Sequence, residues 1–88
     1  MRAASTSFYR GKRILVTGGT GSIGSEIVRQ LLALEPAVVR ILSRDDSKQA
    51  ALEEELGRGE RLRYLIGDVR DQDRMRRAME GTDVVFHA

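Results

Sequence analysis

The chain has 88 residues, 41% hydrophobic and 32% charged, a balance that suits a packed soluble fold and excludes the charge-rich, apolar-poor composition of disorder. Its net charge is +2, with arginines dispersed among the acids, which argues against a nucleic-acid surface and for an anionic small molecule as partner. There is no cysteine, so disulfides and thiolate metal sites are excluded and a reducing cytoplasm fits, and no apolar run approaches the roughly 20 residues that cross a bilayer.

Residues 1–10 read as a loose polar leader without the apolar stretch of a secretory signal. From residue 11 onward the chain alternates two periods. Arg13–Thr17 is a β-branched apolar run closed by glycines, as in strands buried on both faces of a parallel sheet. Over 22–34 the period becomes helical, with Ile23, Ile27, Leu31 and Leu34 on one stripe, until Pro36 stops it. A second strand over Val38–Ser43 leads to a helix capped by Asp46 or Ser47 that runs to about Leu56, where Gly57 and Gly59 end it. Leu62–Ile66 is a third strand, 71–79 a third helix with Met75, Ala78 and Met79 facing inward, and 83–88 a fourth strand.

Such a βαβαβαβ order, with right-handed crossovers, predicts the N-terminal half of a Rossmann-type doubly wound parallel sheet, strand order 3-2-1-4, over residues 11–88. A fourth strand left at the sheet edge would expose unpaired backbone. Either the chain is a fragment or a partner completes it, a homo-oligomer being one such arrangement.

The segment Thr17-Gly18-Gly19-Thr20-Gly21-Ser22-Ile23-Gly24 carries the most chemical information, because its glycines stand directly between a strand and a helix. A turn without side chains lets backbone approach a pyrophosphate, the helix N-terminus directs N–H groups at the anion, and Gly24 allows the helix to pack closely on the strand. The plainer alternative is a tight turn that needs only positive φ angles, but the glycines outnumber that need.

Roughly 20 residues further on, where such folds read the adenosine ribose, stand Ser43-Arg44-Asp45 and Lys48. An acid there would hold the 2′-hydroxyl of NAD, whereas Arg44 and Lys48 with Ser43 would grip the 2′-phosphate of NADP. Two cations against one acid favour NADP over NAD. Asp68, after the third strand, would accept the adenine amino group with Val69 on the ring, or else merely cap the next helix. His87 reads as a buried structural histidine and not a base, since no serine or aspartate constellation supports a triad. No residues have metal-ligand spacing.

These residues resemble the extended short-chain dehydrogenase/reductase family, and within it the polysaccharide-biosynthesis branch of UDP-N-acetylglucosamine 4,6-dehydratases, from Gly11 to Ala88. Residues 17–24 look like the family's cofactor loop, 43–49 its NADP-selecting stretch, and 66–71 its adenine-binding turn. Phe86-His87-Ala88 is similar to the start of the segment that passes under the nicotinamide, which brings in Ala88. The resemblance implies cofactor contacts from Gly18, Thr20, Gly21, Ser22, Ile23, Gly24, Ser43, Arg44, Asp45, Lys48, Asp68, Val69 and Ala88. It also implies a reaction in which NADP oxidises C4 of a sugar nucleotide, water leaves across C5 and C6, and the hydride returns to C6.

The family's Tyr-x-x-x-Lys pair is missing: Tyr9 is followed four residues on by Arg13, and Tyr64 by Asp68. The chain therefore reads as the NADP-binding part of a sugar-nucleotide dehydratase, without catalytic residues of its own. An epimerase of the same family and a non-catalytic nucleotide-binding sensor are the alternatives.

Overall fold

The computed structural model describes residues 7–88. Strands β1 (Arg13–Thr17), β2 (Val38–Ser43), β3 (Leu62–Ile66) and β4 (Val84–His87) form one parallel sheet in the order β3-β2-β1-β4. Helices α1 (Ser22–Leu32), α2 (Asp46–Leu56) and α3 (Gln72–Met79) alternate with them. This is the doubly wound Rossmann-type half that the pattern predicts.

Register explains the core. Leu15 lies opposite Arg40 and Val85, while Ile14 lies opposite Val39 and Val84, so alternate residues of every strand share a face. On one face Ile14, Val16, Val39, Ile41 and Leu62 pack with Val28 and Leu31 of α1 and Leu52 of α2. On the other, Leu15 and Leu42 meet Ala78 of α3, with Leu65 and Met75 beside them. Burial of each such aliphatic side chain contributes about 1.5–3 kcal/mol, so the two-helix face carries most of the stability.

Several expectations change at element ends. Helix α1 stops at Leu32, two residues before Leu34, because Glu35 takes a left-handed φ of 56° that turns the chain and seats Pro36 in the interior. Ile23 leaves the apolar stripe and is 72% exposed, while Gly24 and Ser25 of the same helical turn are buried. Met79 is 44% exposed instead of facing inward. Beneath that helix end Arg40 takes the sheet surface, its guanidinium donating to the carbonyls of Ala78 and Glu80. The cap of α2 is Asp45, not Asp46 or Ser47: its carboxylate accepts the Lys48 N–H at 2.9 Å.

Of the leader expected over 1–10, residues 1–6 lie outside the described part. Ser7, Phe8 and Tyr9 form a helical turn, and the Tyr9 ring sits 6.0 Å from that of Phe86 against the core. Packing thus begins ahead of Gly11. Among the described residues no helix is long and apolar enough to cross a membrane, and no group of acids and histidines is placed to hold a metal ion.

Candidate functional site

Because all strands run the same way, their carboxyl ends share one edge, and the turns that leave β1, β2 and β3 meet there. Backbone bonds continue the ladder past the strands. The Gly18 N–H donates to the Leu42 carbonyl, Gly67 to Ser43, and Ala88 to Thr17, at 2.9, 2.9 and 3.0 Å. A cavity of about 820 Å³ opens over this edge.

The glycine turn is built tightly. Gly18 has φ +68°, and a Cβ there would stand 2.7 Å from the Ala88 carbonyl oxygen. A Cβ on Gly24 would lie 2.0 Å from the Gly18 carbonyl oxygen, so its absence is what lets α1 start against the turn. Gly21 differs: its φ is −73°, and a Cβ would meet only ordinary contact, 3.5 Å from the Gly18 oxygen. Neither backbone nor packing requires a glycine at 21. No side chain caps α1 and no acid occupies its first turn, so the N–H groups at its start have no intrahelical partner and present a positive end.

At the end of β2 the Ser43 side chain is buried and its Oγ accepts the Asp45 N–H at 3.1 Å. The Ser43 and Thr20 hydroxyls hydrogen-bond at 2.8 Å, which ties the glycine turn to the start of α2. Arg44 is exposed and reaches across to the turn after β3, where its Nη1 lies 3.6 Å from Asp68 Oδ2. Asp68 is held by Arg70 through the backbone N–H at 2.9 Å and the guanidinium at 2.7 Å. The Arg70 guanidinium first, and its backbone N–H next, keep the Asp68 carboxyl well below the usual carboxylate range. Asp68 does not cap α3; Asp71 does, accepting the Arg74 N–H.

Of the residues singled out from the sequence, Gly18, Thr20, Ser43, Arg44, Asp45, Lys48, Val69 and Ala88 line the cavity. Gly21 and Ser22 face a smaller one of about 410 Å³ between α1 and α2, which shares Thr20 and Lys48 with the first. Asp68 stands beside the cavity through Arg44, Gly24 lies beneath the turn, and Ile23 points outward.

Leu42, Asp46, Gly67 and His87 also line the cavity and were not singled out as contacts. His87 is exposed, not buried as its apolar strand suggested. It ends the edge strand β4 opposite Thr17, and its Nδ1 hydrogen-bonds the buried Thr17 Oγ1. Its place at a strand's carboxyl end was the available signal.

Residues 14–88 match the family of polysaccharide biosynthesis proteins. The chain belongs to this family. It is thereby part of the extended short-chain dehydrogenase/reductases. It is 54% identical over 83 residues to an uncharacterized membrane protein of Methanocaldococcus jannaschii, covering 94% of this chain and 25% of that protein. Against an inverting UDP-N-acetylglucosamine 4,6-dehydratase of Campylobacter jejuni the identity is 43%, covering 91% and 24%. Against a UDP-glucose 4-epimerase of Rickettsia bellii it is 38%, covering 88% and 24%.

Among solved structures, Pen from Bacillus thuringiensis superposes with a TM-score of 0.87 at 47% identity, over 92% of this chain and 25% of that one. WbmF of Bordetella bronchiseptica, solved with NADH, gives 0.72 at 25% identity, over 92% and 23%. The chain thus spans about a quarter of the length of the family relatives it matches.

Proposed function

We propose that this chain is the NADP-binding part of a sugar-nucleotide 4,6-dehydratase that acts in polysaccharide biosynthesis in the cytoplasm. The observation that carries the reading is the cavity over the carboxyl edge, with Gly18 and Thr20 of the glycine turn on one side and Arg44 and Lys48 on the other, and the uncapped start of α1 opening into the smaller cavity that shares Thr20 and Lys48 with it. The residues present suit the group. The glycine turn and the start of α1 would receive the pyrophosphate, Ser43, Arg44 and Lys48 the 2′-phosphate, and Asp68 with Val69 the adenine.

The bound nicotinamide would supply reversible acceptance of a hydride. This chain's residues would bind and orient it, and none would act on the sugar. NADP is favoured over NAD because two cations, Arg44 and Lys48, line the cavity beside Ser43, while one oxygen of Asp45 is engaged by the Lys48 N–H. A second reading, an NAD-dependent epimerase, has the Rickettsia relative and the NADH-bound WbmF structure in its favour.

Titration of the full-length protein with each nucleotide separates the two. Arg44→Ala is expected to weaken NADP about tenfold or more, the scale of one lost charge-assisted contact, and to leave NAD nearly unchanged. An unaltered ratio would sink the NADP reading.

A further inference from the structure

Arg44 and Asp68 leave different strands and meet only through the sheet order, which sets the end of β2 beside the end of β3. Among the described residues Asp68 is the one ion-pair partner of Arg44. The Arg44 side chain is otherwise long and 68% exposed, free to sample many rotamers. Asp68, in contrast, is fixed: Arg70 grips both its oxygens from two residues away, and its side chain is only 31% exposed.

We propose that Asp68 is a positioning residue that sets nucleotide specificity by holding Arg44 at the mouth of the cavity, with the free edge of its guanidinium directed to a 2′-phosphate. The proposal rests on the reading of Arg44 as the 2′-phosphate clamp. A guanidinium has five N–H donors in a planar fork, so one edge can stay on a carboxylate while the other meets a phosphomonoester. Arg70 balances the Asp68 charge, so that two guanidinium groups face one carboxylate and an anion is still attracted. NAD lacks the 2′-phosphate and gains nothing from the arrangement, so this role of Asp68 acts on the ratio of affinities, beside any contact it makes to the adenine that both nucleotides share.

The test is the dissociation constant of the full-length protein for NADP and for NAD in a cycle of variants. Asp68→Asn is expected to lower the NADP-over-NAD ratio about threefold, the scale of one exposed ion pair, with a smaller effect on NAD. In an Arg44→Ala background it should leave the ratio unmoved. Asp68→Glu, which keeps a carboxylate within reach, should retain more of the ratio than Asp68→Asn.

A ratio unchanged or raised by Asp68→Asn, or equally lost in Asn and Glu variants, overturns the proposal. An equal loss for both nucleotides does so too and returns Asp68 to the adenine alone. If Arg44→Ala by itself leaves the ratio intact, the NADP reading falls and this proposal with it. If Arg44→Ala abolishes the preference while Asp68→Asn spares it, only the positioning role is lost.

Discussion

The glycines of the turn after β1 separate into two kinds at the residue scale. At Gly24 an added methyl would stand 2.0 Å from the Gly18 carbonyl oxygen, inside any allowed contact and against backbone that cannot swing away. Gly24→Ala is therefore expected to destabilise the fold by about 2–3 kcal/mol, the cost of overpacking outweighing the helix propensity that alanine adds. At Gly21 the same methyl meets only the Gly18 oxygen at 3.5 Å. Gly21→Ala should cost no more than about 1 kcal/mol, yet weaken nucleotide binding about tenfold if backbone approach to the pyrophosphate is what the position serves. Thermal melts beside nucleotide titrations read both, and a Gly21→Ala protein that binds normally would remove Gly21 from the site. Both glycines were legible in the sequence as one motif. Which one the fold needs was not, because the decisive distance runs between the helix start and a carbonyl of the preceding turn.

At the scale of elements, two aspartates tie segments together through backbone N–H groups. Asp45 caps α2, and Asp45→Ala is expected to cost about 1 kcal/mol in denaturant unfolding while leaving NAD affinity unchanged. A selective loss of NAD binding would show that its carboxylate serves the ribose after all.

Asp83 precedes β4 and accepts the backbone N–H of Arg13 at 2.8 Å, joining the starts of β1 and β4. That bond, aided by the Arg13 side chain, holds the Asp83 carboxyl below its ordinary value. A carboxyl lowered in the folded state contributes stability above its unfolded pKa of about 3.9, and that contribution is lost as pH falls through the folded value. The wild-type protein should thus melt above Asp83→Asn near neutral pH, with the gap closing below about pH 4. A gap independent of pH would assign the difference to packing. Sequence patterning placed Asp83 at a strand start, but its partner lies 70 positions away, beyond the reach of any local signal.

For the whole molecule, Ile41 links the core to the site. It is fully buried in the two-helix cluster, and its Cγ2 lies 2.6 Å from where a Cβ on Gly19 would stand, so it supports the glycine turn from below. Ile41→Ala is expected to lose about 3 kcal/mol, from burial and the cavity left behind, and to weaken nucleotide binding as the turn loosens. Denaturant midpoints and titrations check the two effects, and a stability loss with unchanged affinity would separate core from site.

The alternation of periods, 2 along strands and 3.6 along helices, is a local property, so the four strands and three helices from Arg13 to His87 were legible in the sequence, the helical turn over Ser7–Tyr9 was not, and the order β3-β2-β1-β4 followed from the handedness of the crossovers. The glycine turn was legible for the same reason: its chemistry lies within eight consecutive residues. Only tertiary structure decided where each element ends relative to its neighbours. That left Ile23 and Met79 exposed, set Arg40 against the Ala78 carbonyl, put His87 against Thr17, and brought Arg44 to Asp68. Periodicity tells which face of an element is apolar, whereas register and crossing determine what stands opposite it. The residues of the candidate site are set by that second, through-space relation.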